Sequence, residues 1–203
     1  SGGAGIVADL KTFEAHGVWG AVAITAVTAQ NTLGVQAVEA ISPEMVRAQI
    51  ASVVSDLGVA AAKTGMLASA EIVESVAMTV AQLGIQPLVV DPVMVASTGG
   101  RLLDPDAVEA VRHLLLPRAT VLTPNLAEAA VLCGMDVGDR AGMERAARVL
   151  AELGPEVVLV KGGHLSGADS PDCLLVAGEE PVWLEGPRLA ARGAHGSGCV
   201  LSA

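Results

Sequence analysis

Apolar residues along this chain follow two alternating periods. At 4–16, 43–56, 70–83, 105–115 and 143–153 they recur three and four positions apart, which predicts helices with one buried face. Each of these stretches is followed by a short, largely apolar run, at 21–27 (which is also rich in β-branched residues), 59–63, 88–91, 120–123 and 157–161, and these runs read as strands. Gly17 closes the first helix. Strands without a polar face, alternating with amphipathic helices, predict an α/β fold: a mostly parallel central sheet with helices on both faces. After Gly162 the rhythm changes. Two short segments, 172–176 and 181–185, flank the turn-like Ala177-Gly178-Glu179-Glu180 and predict a small β-hairpin at one edge of the sheet.

Composition narrows the picture. A chain of 203 residues that is 52% hydrophobic can bury one sizeable core, so a single domain over 1–203 is expected. Aromatic residues make up only 1% (Phe13, Trp19 and Trp183), so the core has to be packed with Ala, Val, Leu, Ile and Met. Twenty-two acidic residues against twelve basic ones give a formal charge of −10 with no Lys/Arg-rich run, which weighs against nucleic acid as a partner. The apolar runs are of strand length, far short of the roughly 20 residues a membrane-spanning helix needs, so no membrane association is expected. Cys133, Cys173 and Cys199 are odd in number and lack CxxC spacing. That argues against a disulfide framework or structural zinc and fits a reducing cytoplasm.

In open parallel sheets ligands bind beyond the carboxyl ends of the strands. Here those ends deliver Thr28-Ala29-Gln30-Asn31, Lys63-Thr64-Gly65-Met66, Asp91-Pro92-Val93-Met94, Thr123-Pro124-Asn125 and Lys161-Gly162-Gly163-His164. The strongest local signal is Ala194-His195-Gly196-Ser197-Gly198-Cys199 ahead of the small and apolar Val200-Leu201-Ser202-Ala203, which reads as a glycine-rich turn opening a helix. Successive N–H groups there can converge on a phosphoryl group. Cys199, in the first turn, is either a general base favoured as thiolate by that helix end or an inert packing residue. Cys133 and Cys173 are assigned to packing. Ser1-Gly2-Gly3-Ala4-Gly5 is a second glycine-rich helix start, able to let a flat ligand approach. Asp9 in the helix that follows is either a ligand to a heterocyclic donor or an ordinary solvated acid. Asn125 and Glu128, three apart at a helix start, can face one pocket together with Asp91, and two carboxylates with an amide suit Mg²⁺ held through retained waters. Asn125 can equally be a helix cap, and Lys161 a cation snorkelling at a strand end.

Taken in order, these stretches resemble the hydroxymethylpyrimidine-phosphate kinase family along the whole chain. The resemblance is carried by Ser1-Gly2-Gly3-Ala4-Gly5-Ile6 with Ala8-Asp9-Leu10-Lys11-Thr12-Phe13, by Thr28-Ala29-Gln30-Asn31-Thr32, by Lys63-Thr64-Gly65-Met66-Leu67 and by Asp91-Pro92-Val93-Met94. It continues through Leu122-Thr123-Pro124-Asn125 with Glu128-Ala129, Lys161-Gly162-Gly163-His164 and His195-Gly196-Ser197-Gly198-Cys199. It implies a ribokinase-like fold that uses ATP and Mg²⁺ to phosphorylate the hydroxymethyl group of an aminopyrimidine, and often its monophosphate, in thiamine biosynthesis.

Carried over by position, the resemblance places Asp9 and Gln30 on the pyrimidine, with Ala4, Met66 and Val93 lining its pocket. Cys199 becomes the catalytic base, and Gly196, Ser197 and Gly198 form the anion hole. Asp91 and Glu128 hold Mg²⁺ through water, and Lys161, Asn125 and Glu128 lie near the nucleotide phosphates. The partner implied is a small aminopyrimidine, with a homodimer compatible. Two alternatives stand beside this reading: a pyridoxine/pyridoxal kinase, where Asp is more usual at the position of Cys199, and a catalytically silent module that binds a thiamine precursor. Ser197 stands where Thr is more usual and Trp19 where Tyr is common. The family's opening strand and its C-terminal helical segment are expected to be missing from 1–203.

Overall fold

Six short strands make the central sheet of the computed structural model, which describes residues 3–31, 34–94, 105–189 and 196–203. They are β3 (Ala62–Thr64), β4 (Leu88–Val90), β5 (Val121–Leu122), β6 (Val157–Val160), β7 (Asp172–Val176) and β8 (Val182–Leu184), and they lie in that order across the sheet. β3 to β6 are parallel, with Thr64, Val90, Leu122 and Val158 in register. β7 and β8 are antiparallel and form the expected edge hairpin. A separate two-stranded antiparallel sheet joins β1 (Ala26–Asn31) to β2 (Gly34–Ala40).

The helices are α1 (Ile6–Ala15), α2 (Pro43–Leu57), α3 (Ala70–Leu83), α4 (Pro105–Ala110), α5 (Leu126–Cys133), α6 (Arg140–Ala151) and α7 (Ser197–Ser202). Their starts are chemically fixed. Ser42 accepts from Met45 N, Ser69 from Ile72 N and Asp139 from Gly142 N, caps of this kind each being worth about 1 kcal/mol. α3 and α5 stop at Gly84 and Gly134, both in the left-handed conformation that glycine adopts without a side-chain clash. α4 runs on through a π-helical turn (Val111–Leu115) into a 3₁₀ turn (Leu116–Arg118), filling the helix expected at 105–115.

Register shows which face each helix covers. Leu88, Val90, Leu122, Val158, Val160 and Cys173 are essentially fully buried, and they alternate with the half-buried Val89, Val121, Val157, Leu159 and Leu174. Trp183 aligns with Cys173 and donates from Nε1 to Glu144 of α6 (3.0 Å), so α6 lies on the buried face. Lys63 aligns with Val89 on the opposite face and reaches Asp9 of α1, so α1 lies there. Helices on both faces of the sheet follow. The core contains the Leu, Ile, Val, Ala and Met side chains anticipated from composition, each large one stabilising by roughly 1.5–3 kcal/mol relative to exposure.

One expected strand is displaced. Residues 21–25 form no strand, and β1 begins only at Ala26. The backbone of this segment takes other partners: Ile24 N donates to Gln49 Oε1 (2.9 Å) and Ile24 O accepts from Gln49 Nε2 (3.0 Å), while Thr25 Oγ1 donates to Met66 O (2.7 Å). β2 was not anticipated, and its residues are mostly exposed. Ser1, Gly2, Thr32, Ala194 and His195, quoted above in motifs, lie outside the described residues.

Candidate active site

Four neighbouring parallel strands end at one rim of the sheet and deliver Thr64, Asp91, Asn125 and Lys161. The Asp91 backbone N donates to Thr64 O (3.1 Å), and Lys161 N donates to Pro124 O (2.8 Å), so these residues continue the ladder past the last regular pair. Asp91 is buried there. A buried carboxylate needs compensating partners, and both of its oxygens have them: Lys161 Nζ donates to Oδ1 at 3.1 Å, and Ser202 Oγ lies 3.0 Å from Oδ2. The Ser202 hydroxyl also lies 2.9 Å from Gly198 O, and its single proton serves one acceptor at a time.

That contact ties α7 to the rim. α7 opens at Gly196, where φ is 87°, and a β-carbon at this position would fall on the Gly3 carbonyl oxygen, so the turn lies directly against the start of α1. The same approach brings Gly5 N to Cys199 Sγ, a 3.3 Å contact in which the N–H donates to sulfur. A β-carbon on Gly198 would sit 3.4 Å from Lys161 Nζ and 3.9 Å from Asp91 Oδ2. Gly196, Ser197, Gly198 and Cys199 therefore stand where α1, α7 and the Lys161–Asp91 pair meet.

Asn125 and Glu128 serve as a helix cap. Asn125 Oδ1 accepts from Glu128 N (3.0 Å) and Glu128 Oε2 accepts from Asn125 N (2.8 Å), a reciprocal capping box. Glu128 is 4% exposed, and burial pushes its carboxyl up to about 7. The Asn125 N–H and the Lys161 ammonium pull it back down, whereas the Asp91 carboxylate pushes it further up. The Met94 backbone also lowers it, so Glu128 faces the rim with its burial only partly offset by the Asn125 and Met94 backbone and by Lys161.

The residues expected around a flat ligand are placed less uniformly. Asp9, half-buried on α1, receives Lys63 Nζ at 2.6 Å. Val93 and Asp91 line one cavity with Thr64 and Gly65, and Val93 N donates to Asp91 O (2.8 Å). Ala4 stands next to the Gly196 contact and Met66 accepts from Thr25, both half-buried. Gln30 is half-buried on β1 opposite Val35, and among the described residues no hydrogen bond joins it to the rim. Burial pushes the thiols of Cys133 and Cys173 up to about 11, which keeps them protonated and consistent with packing. Lys63 and Ser202 were given no role from sequence, although a lysine inside an apolar strand signals a charge that requires a partner. Among the described residues no cluster of three or more His, Cys, Asp or Glu forms a ready metal cage, and no helix is long and apolar enough to cross a membrane.

Residues 1–203 match the family described as phosphomethylpyrimidine kinase. The chain belongs to this family. Among its relatives, the hydroxymethylpyrimidine/phosphomethylpyrimidine kinase of Synechococcus elongatus is 52% identical over 202 residues, covering 100% of this chain and 76% of that protein. The enzyme of the same name from Streptomyces coelicolor is 53% identical over 201 residues, covering 99% of this chain and 74% of the relative. Solved structures agree in fold. A pyridoxal kinase of Bacillus subtilis, in complex with ADP, superposes with a TM-score of 0.89 at 38% identity, covering 99% of this chain and 76% of that one. The phosphomethylpyrimidine kinase of Clostridium difficile superposes with a TM-score of 0.82 at 41% identity, covering 91% and 78%.

Proposed function

We propose that this chain transfers the γ-phosphoryl group of ATP to the hydroxymethyl oxygen of 4-amino-5-hydroxymethyl-2-methylpyrimidine, and to the phosphate of the resulting monophosphate, supplying a precursor of thiamine. The observation that carries the reading is the meeting of Cys199 with Gly5 on one side of the α7 turn and of Lys161 with Asp91 on the other. This puts the Cys199 sulfur, a glycine-rich turn and a paired ammonium around one space.

In this reading the pyrimidine lies against Ala4, Met66 and Val93, with Asp9 and Gln30 accepting and donating hydrogen bonds at its polar edge. Cys199 Sγ, oriented by the Gly5 N–H, takes the proton of the substrate hydroxyl as its oxygen forms a bond to the γ-phosphorus. The bond from that phosphorus to the bridging oxygen breaks, and ADP leaves. The N–H groups of Gly196, Ser197 and Gly198 receive the charge spread over the transferring group, and Lys161 and Asn125 face the nucleotide phosphates. Such transfers rest on positioning and electrostatics rather than on covalent chemistry by the protein. Asp91 and Glu128 are the residues that would hold Mg²⁺, through retained waters. The buried, incompletely balanced Glu128 carboxylate fits a divalent cation that keeps much of its hydration, and the ion's contribution is to neutralise phosphate charge.

The test is direct. The chain is incubated with ATP, Mg²⁺ and the hydroxymethylpyrimidine, its monophosphate, or pyridoxal, and the products are identified by mass. Pyrimidine-dependent ADP release with mono- and diphosphate products is expected. Turnover of pyridoxal alone would replace this reading with the vitamin B6 one, which the Bacillus subtilis superposition favours. Binding without turnover would make the chain a silent binding module.

A further inference from the structure

We propose that Lys63 is a positioning residue for the pyrimidine, its ammonium holding Asp9 in place as the carboxylate that accepts from the substrate's amino group. This rests on the reading above, in which Asp9 contacts the pyrimidine. Lys63 comes from β3, where its neighbours Ala62 and Thr64 face the opposite side of the sheet, and its side chain is only 5% exposed. Burying an ammonium there costs several kcal/mol unless it is paired, and the partner it finds is 54 residues away in sequence: Asp9 Oδ1, at 2.6 Å, on a side chain 13% exposed. With Oδ1 taken by Lys63, Oδ2 is the oxygen left to a ligand among the described residues.

The charges around Asp9 explain why the ammonium is needed. Burial is the largest influence on the Asp9 carboxyl and pushes it up; Lys63 pulls it down by hydrogen bond and by charge, and Asp91, at the end of β4, pushes it up again. From α7 the nearest titratable group is Cys199, beside Gly5 at the start of α1, and Lys161 is committed to Asp91. Lys63 is therefore the cation that opposes two effects favouring the neutral acid. A neutral carboxyl carries a proton on one oxygen and is the weaker acceptor for an amino group, since a hydrogen bond to an ionised acceptor is roughly twice as strong. The pair thus adds specificity for a ring bearing an exocyclic amine.

The experiment measures binding of 4-amino-5-hydroxymethyl-2-methylpyrimidine by calorimetry, without ATP, from pH 6 to 9. The parent is compared with Lys63→Met, Lys63→Arg and Asp9→Asn, and a non-hydrolysable ATP analogue is titrated in parallel. Lys63→Met is expected to weaken the pyrimidine and to move the acid limb of its affinity profile up by roughly one to three pH units, so that affinity recovers as pH rises, because that is the shift a carboxyl undergoes on losing a cation at this distance. Lys63→Arg keeps the charge and is expected to preserve the parental pH profile, and the nucleotide analogue is unaffected throughout. Parental affinity and profile in Lys63→Met overturn the proposal, as does a pH-independent loss shared with the nucleotide, which marks a packing role only. If Lys63→Met gives no cooperative melt, Lys63→Gln is judged by the same criteria. The two layers separate through Asp9→Asn. An unchanged pyrimidine affinity removes Asp9 from the pocket and the proposal with it, whereas a weakened Asp9→Asn beside a normal Lys63→Met removes only the role of Lys63.

Discussion

Gly196→Ala tests the turn at its tightest point. With φ at 87°, Gly196 occupies a conformation that costs an alanine about 1–2 kcal/mol by itself. The added methyl also has nowhere to go. It would fall on the Gly3 carbonyl oxygen, with the carbonyl carbon at 2.7 Å and Ala4 Cα at 3.1 Å. These are backbone atoms that cannot rotate aside, so either the α7 turn or the start of α1 must retreat by on the order of 1 Å to reach ordinary contact. A shift of this size in a positioning element costs about a hundredfold in rate. The expected result is a kcat lowered about a hundredfold, and a Tm lowered by about 2–8 °C for a chain of this size.

Gly198→Ala is the internal control. Its methyl would meet the side-chain tip of Lys161 at 3.4 Å rather than backbone, and alanine inside a helix is favoured over glycine by roughly 0.5–1 kcal/mol. Its Tm should hold or rise, and its kcat should fall less than that of Gly196→Ala. Initial rates of ADP release and thermal melts on both variants decide the point. Near-parental kcat and Tm for Gly196→Ala, or the reverse ranking of the two variants, would refute the argument that α7 is seated on the first turn of α1.

Three further outcomes are expected. Cys199→Ala should lower kcat by roughly 10²–10⁴-fold with little change in pyrimidine binding; steady-state rates paired with calorimetry check this, and near-parental kcat would return Cys199 to packing. Gln30→Leu should weaken the pyrimidine by about 1–3 kcal/mol and leave the nucleotide alone, so equal loss for both ligands would count against Gln30 as a pyrimidine contact. Glu128 titrates near 7 when folded, above its ordinary value of 4.5, so the folded chain binds more protons than the unfolded one between these values and stability falls as pH rises through the interval. Glu128→Gln, without metal or nucleotide, should therefore melt higher than the parent above pH 7, by an amount on the order of 3 kcal/mol, and match it near pH 4. A constant difference across that range would show that the carboxyl is not shifted.

A helix was most legible in the sequence where hydrophobic period, cap and stop residue agree. The segment 70–83 has Ser69 before it, Gly84 after it and an apolar stripe between them, and α3 spans that range. The run at 21–27 failed for a reason that composition does not show. Gln49, in a helix that follows it in the chain, supplies both hydrogen bonds of Ile24, so an apolar and β-branched segment is satisfied without a strand partner. β2 was hidden by the opposite cause. With most of its residues exposed, Gly34–Ala40 carries little of the burial pattern that marks a strand and is held by pairing with β1 instead.

The residue types at the rim were legible because a polar side chain ending an apolar strand has few structural reasons to be there; their pairing was not. Asp91 could be read as a strand-end acid, but that one oxygen meets Lys161 and the other lies near Ser202 depends on how α7 returns to the sheet, 111 residues later. Lys63 shows the limit most clearly. Its burial could be inferred from the apolar run around it, and burial demands a counter-charge, yet twenty-two acidic residues could supply one. The choice of Asp9 follows from α1 crossing the sheet face opposite α6, a fact of topology. Desolvation then gives that placement its weight: in water the pair would be worth 1 kcal/mol or less, whereas between α1 and β3 the Lys63 ammonium opposes the burial that pushes the Asp9 carboxyl up, and the proposed role of Asp9 as an anionic acceptor depends on that opposition.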